Sequence, residues 1–187
     1  TTSKHVIEDL FGKIDAIIDG GKTKIGLEST VLDITKEPAI ILRPGGVTKE
    51  MIEKVIGKVT LFKTNFKSSK SIKNPPSPGL KYRHYAPNAK LILIEHSKAQ
   101  RKALNLLLKR FKGNKIAIIS ANKPPKGDFQ FISLGKSELT SSKRIFSSFR
   151  ELDKRGVEII LFEGLRDKNL GTAIMNRVRR AAYKIIR

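Results

Sequence analysis

Apolar residues in this chain fall into short clusters whose period changes repeatedly. Thr2 or Ser3 can cap a short helix over residues 3–12, which Gly12 stops. "DAIIDGG" (15–21) reads as a buried strand ending in a glycine turn. "STVLDIT" (29–35) alternates and is β-branched, so it predicts a strand. "AIILR" (39–43) predicts another, stopped by Pro44-Gly45-Gly46, and Pro38 between them marks the turn of a hairpin. Thr48 caps a helix over 49–57, with Glu50 and Glu53 in its early turns and Gly57 at its end.

The pattern then breaks. "KTNFKSSKSIKN" (63–74) is rich in Lys and Ser without a clear period, and Pro75, Pro76 and Pro78 follow. Residues 63–89 read as a linker, and so long a connection is usually functional. Beyond it, strands "KLILIE", "KIAIIS", "FQFISL" and "VEIILFEG" alternate with helices over 97–113, capped by Ser97, over 139–155 and over 170–186. This order predicts a small, doubly wound, parallel α/β domain of Rossmann-like type, with helices on both faces. The chain thus divides into an α+β piece at 1–62, the linker, and the α/β domain at 90–187. The first piece offers three or four strands and two helices, too little to bury a core alone.

Composition adds a charge argument. Lys and Arg number 38 against 17 acids, a net charge of +21 over 187 residues. Such a field attracts nucleic acid, nucleotides, phosphates or acidic membrane surface; a solvated lysine-rich surface without a target accounts for it equally well. There is no cysteine, which excludes disulfides and thiolate metal sites. No run approaches the length of a membrane span and no signal peptide is visible, so the expected setting is cytoplasmic.

Three stretches carry candidate chemistry. "KIGLESTVLD" (24–33) puts Glu28, Ser29 and Thr30 at a strand entrance, where hydroxyls can donate to a carboxylate or phosphate; a plain strand start is the simpler reading. "ILRPGG" (41–46) sets Arg43 at a strand end, beside a glycine turn and a helix N-terminus. That suits a phosphate, or equally a surface ion pair. "SPGLKYRHYAP" (77–87) holds Lys81, Tyr82, Arg83, His84 and Tyr85 between Pro-Gly and Ala-Pro. Those are lid-like side chains, able to stack or to meet phosphate, although tyrosines in a docked linker can simply pack. No ligand partner stands at metal spacing from His84. In "EGLRDKNLGTAIMNRVRRAA" (163–182), Gly164, Gly171 and Thr172 join a strand to a helix whose N-terminus could hold an anion; a capped helix start is the reading taken. On that helix Leu170, Ile174, Val178, Ala181 and Ile185 form the buried stripe. Arg177, Arg180, Lys184 and Arg187 form an outer cationic face.

Taken in order, "DAIIDGG", "GLESTVLD", "ILRPGG" and "PGLKYRHYAP" resemble the threonylcarbamoyl-AMP synthase family in its long form. There a YrdC-type catalytic domain precedes a smaller C-terminal domain, which "SSFRELDKRGVEIILFEGL" and "LGTAIMNRVRRAA" resemble. The resemblance implies an α+β YrdC-like piece at 1–62 and a nucleotidyltransferase activity. L-Threonine, bicarbonate and ATP would give threonylcarbamoyl-adenylate and pyrophosphate for tRNA threonylcarbamoyladenosine modification, with Mg2+ accompanying ATP. It further implies that Ser29 contacts threonine, that Arg43 and Tyr82 contact ATP, and that Lys81, Arg83, His84 and Tyr85 belong to a lid over a labile adenylate. The family's Lys-x-Arg and Ser/Thr-x-Asn segments have no counterpart here, so the chain resembles the family's C-terminal portion and is expected to be inactive alone. The competing expectation is a basic module that binds tRNA or another polyanion, or a regulatory module for tRNA-modification proteins, without catalysis.

Overall fold

The computed structural model describes residues 1–62 and 86–187. Helix α1 (Ser3–Leu10) starts where expected, because the Thr2 hydroxyl accepts the His5 amide. It ends two residues early, before Gly12 at φ +72°. Its link to the rest runs through charge: Glu8 and Asp9 meet Arg150, and Glu8 lies 2.5 Å from Lys154.

Strand β1 (Val31–Asp33) pairs antiparallel with β2 (Ile40–Arg43) around the turn at Pro38, as the hairpin pattern predicts. The parallel strand β3 (Thr60–Leu61) completes a three-stranded sheet. Between them runs α2 (Lys49–Ile56), capped by Thr48 accepting the Met51 amide at 3.3 Å and ended by Gly57 at φ +78°. The strand expected at 15–21 is not formed. Among the described residues no strand pairs with it, and Ile18 stands 97% exposed. Two isoleucines without a ladder partner do not make a strand, because the backbone amides gain nothing over water.

The second sheet is all parallel, in the order β6-β5-β7-β4-β8: β4 (Lys90–Ile94), β5 (Ile116–Ser120), β6 (Gln130–Ser133), β7 (Ile159–Glu163) and β8 (Lys184–Ile186). Its continuous aliphatic runs follow from burial on both faces. Leu91, Leu93, Ala117, Ile119, Ile160 and Phe162 point to one face. There they meet α4 (Glu138–Lys154) through Ile145, Phe149 and Leu152, and α5 (Leu170–Ala181) through Ile174 and Val178. The alternate residues Ile92, Ile94, Ile116, Ile118, Ile159 and Leu161 meet Leu104 of α3 (Gln100–Arg110) on the other face. The helices on both faces were therefore legible. Among the described residues no helix is long and apolar enough to cross a membrane.

Two boundaries need correcting. Ser97 does not cap α3 with its side chain; the helix begins at Gln100, whose amide donates to the Ser97 carbonyl at 3.2 Å. The last helix stops at Ala181 rather than 186, because Ala182 turns extended. The chain then lays Ile185 and Ile186 along the open edge of β4 as β8. An unpaired edge beside β-branched residues outweighs continuation of the helical pattern.

Candidate functional site

The β1–β2 ladder stops at the Val31–Arg43 pair, with a register shift between Val31 and Leu32. Residues 28–30 and 43–47 continue side by side without that ladder, joined by side chains. Arg43 bends back to donate Nε to the Ser29 carbonyl at 3.0 Å and Nη2 to Ser29 Oγ at 3.1 Å. Thr30 Oγ1 donates to the Val47 carbonyl at 2.5 Å. Gly45 explains the close approach: a Cβ there would lie 2.4 Å from backbone atoms of residues 28, 29 and 30.

Ser29 and Arg43, the two candidates nearest the start of the chain, are thus in direct contact. A hydroxyl and a guanidinium at a turn that leads into a helix N-terminus can together receive a carboxylate or phosphate. The remaining candidates, Lys81, Tyr82, Arg83, His84 and Tyr85, lie outside the described residues.

The corner has a third side that the sequence reading missed. Arg177 is buried at 6% exposure rather than lying on an outer cationic face. Its Nε donates to Glu28 at 2.8 Å and its Nη1 to the Pro44 carbonyl at 2.8 Å and to Asn176 at 3.1 Å. A helical pattern drawn outward by charge gave way to a specific acceptor on the neighbouring unit. The signal was present: Arg177 sits three residues after Ile174 and four before Ala181, on the flank of the apolar stripe.

Charge in this corner is uneven. Burial pushes the Glu28 carboxyl up, but Arg177 beside it, hydrogen bonding and the charge of Arg43 more than offset this and hold it below its ordinary value. Burial, then the like charges of Arg177 and Arg43, hold Arg180 below its ordinary value despite Glu28. Among the described residues, the guanidiniums of Arg43, Arg177 and Arg180 thus gather near the Glu28 carboxylate, a setting that suits an anionic ligand. A cavity of about 410 Å³ opens beside Glu28, lined by His5, Asp9, Gly26, Phe146 and Arg150 among others.

The alternative anion position, the N-terminus of α5, is already filled. The Asn169 amide donates to Glu50 at 3.0 Å and the Leu170 amide to Glu138 at 3.2 Å. The protein's own carboxylates satisfy this end, so the capped-start reading holds.

The fold and this corner define a class: a parallel, Rossmann-like α/β unit braced against a small mixed sheet that carries a cationic, hydroxyl-bearing edge. Comparison with known proteins narrows the class. The family model for "Threonylcarbamoyl-AMP synthase, C-terminal domain" matches residues 47–183, and one described as "Telomere recombination" (Sua5/YciO/YrdC) matches residues 1–45. Threonylcarbamoyl-AMP synthase of Pyrococcus abyssi is 42% identical over 191 residues, covering 100% of this chain and 55% of that protein. Its counterpart in Schizosaccharomyces pombe is 36% identical over 200 residues, covering 97% of this chain and 48% of that protein. The crystal structure of P. abyssi Sua5 complexed with L-threonine superposes with a TM-score of 0.88 at 42% identity, covering 100% of this chain and 55% of that one. The chain belongs to the threonylcarbamoyl-AMP synthase C-terminal-domain family, and it spans about half the length of the curated relatives it matches.

Proposed function

We propose that this chain supplies one wall of a threonylcarbamoyl-AMP synthase. In that reaction the amine of L-threonine and bicarbonate condense to a carbamate with loss of water. A carbamate oxygen attacks the α-phosphorus of ATP, the bond to the β-phosphate oxygen breaks, and pyrophosphate leaves. Catalysis of this kind rests on positioning and charge stabilisation. Ser29 binds threonine, Arg43 binds ATP, and Tyr82, with Lys81, Arg83, His84 and Tyr85, closes over the adenylate and keeps water out. The product supplies tRNA threonylcarbamoyladenosine modification, in the cytoplasm where ATP and tRNA meet. The division of the chain at residues 62 and 90, with a YrdC-like piece before it, belongs to the same reading.

The observation that carries this reading is the pairing of Arg43 with Ser29 at 3.0 and 3.1 Å, beside the turn that leads into the α2 N-terminus. A relative of matching fold has been crystallised with L-threonine. Mg2+ is proposed to enter on the triphosphate, which supplies oxygen ligands for it. The rival reading, a polyanion-binding module, rests on the net charge of +21, and the burial of Arg177 takes one cation out of the surface it would use.

The test measures pyrophosphate release from ATP that depends on both threonine and bicarbonate, using the protein at its full natural length. Loss of a hydrogen bond to a charged group costs about 1.5–3 kcal/mol, roughly 10- to 150-fold. Ser29→Ala is expected to raise the KM for threonine, and Arg43→Ala that for ATP, within this range. Pyrophosphate release indifferent to threonine would refute the reading.

A further inference from the structure

We infer that Arg177, a residue of the five-stranded unit, is a positioning residue for the substrate wall on the other unit. The inference rests on the function proposed above and adds a component to its site. The segment 28–30 receives no support from the β1–β2 ladder, which ends at Val31. What fixes Ser29 must therefore come from side chains and close packing. Arg43 provides one tie, the Thr30 hydroxyl bond to the Val47 carbonyl a second and the Gly45 approach a third.

Arg177 provides a fourth, from the other unit, and its geometry is specific. Nε holds the carboxylate of Glu28, one residue before Ser29. Nη1 holds the carbonyl of Pro44, one residue after Arg43. A single planar fork thus sets the spacing between the two segments that carry the proposed threonine and ATP contacts. Its guanidinium is buried, so it keeps this geometry with little competition from water.

The base of the fork is firm. Arg177 lies on α5 between Ile174, Val178 and Ala181, all sealed against the parallel sheet. The large core of the α/β unit is thereby coupled, at the height of Ser29 and Arg43, to the edge of a small three-stranded sheet. Lysine cannot replace arginine here, because one ammonium on a flexible stem does not hold a carboxylate and a carbonyl in a fixed plane. Arg177 acts through Ser29 and Arg43, so its loss should disturb both substrates to a like degree, whereas Ser29→Ala, which keeps the Arg43 Nε bond to the residue 29 carbonyl, should disturb threonine the more.

The experiment compares Arg177→Gln, Arg177→Lys, and Arg177→Gln with Glu28→Gln in the protein at its full natural length, assayed well below each variant's Tm. Arg177→Gln is expected to raise the KM for threonine and for ATP, each by about tenfold, with a smaller change in kcat, and Arg177→Lys to fall between it and wild type. Hydrogen exchange should quicken across residues 26–31 and 43–47 and stay unchanged in β4, β5 and β7. The double variant removes the stranded carboxylate, so its Tm should recover while both KM values stay raised. Recovery of KM with Tm, or unchanged KM values beside a lowered Tm, would show a purely structural role and overturn the inference. If wild-type protein neither binds threonine nor releases pyrophosphate, the proposed function fails first. Faster exchange in the variant would then mark a clamp without a substrate, and positioning would be excluded.

Discussion

Replacing Gly45 by alanine tests how tightly the corner is built. The added methyl would lie 2.4 Å from Glu28 O, Ser29 C and Thr30 N, all backbone atoms that cannot rotate away. Ordinary carbon contacts sit near 3.5–4.0 Å, so the turn and the facing segment must part by about 1 Å. Arg43 starts at 3.0 and 3.1 Å from Ser29, and an opening of that size takes both bonds beyond useful hydrogen-bond length. Overpacking of this kind costs about 1–3 kcal/mol of stability. A shift of about 1 Å in a positioning element can cost on the order of 100-fold in rate. The assay pairs thermal denaturation with threonine-dependent pyrophosphate release, with Gly20→Ala as control because nothing lies within 4 Å of a Cβ there. Gly45→Ala should lower both Tm and kcat/KM while Gly20→Ala changes neither. A Gly45→Ala protein with wild-type values of both would refute the close packing and the reasoning built on it.

Three further outcomes are expected. Leu104→Ala removes the fully buried anchor of α3 and should destabilise by about 2–5 kcal/mol in a urea titration; a cost under about 1 kcal/mol would mean the helix is held elsewhere. Because Glu28 titrates below its ordinary value of 4.5, its pairing contributes stability that is complete above that value and lost as pH falls through the lower, folded value. The stability gap between wild type and Glu28→Gln should therefore close on acidification, followed by circular dichroism, and a gap independent of pH would contradict the pairing. Arg150→Ala, or about 1 M salt, should speed hydrogen exchange in residues 3–10 while leaving β5 and β7 unchanged, since α1 is held by partly exposed ion pairs that salt screens. Equal protection with and without salt would count against it.

The parallel sheet was legible because burial on both faces writes unbroken aliphatic runs such as "LILI" and "IAII", bounded by caps and glycines. The hairpin was legible from alternation on either side of Pro38, and its pairing is what brings Ser29 and Arg43 together. Three features were not. "DAIIDGG" has the composition of a strand, but pairing depends on a partner that local sequence does not reveal. The end of α5 was hidden because "YKIIR" continues a helical stripe as readily as it forms an edge strand, and only the open side of β4 decides. Arg177 was misassigned because a cation on a helix defaults to solvent, while its true acceptor lies 149 positions away at Glu28.

At Gly26 the two units meet main chain to main chain. The residue adopts φ +80°, a Cβ on it would fall 2.6 Å from the Cα of Lys143, and Ser142 Oγ donates to the Ile25 carbonyl at 2.6 Å across the same seam. Such a joint leaves no slack for a bulkier residue on either side. Chimeras that splice one relative's leading half to another's trailing half should therefore assemble only when the small residue at 26 and the hydroxyl at 142 are inherited together.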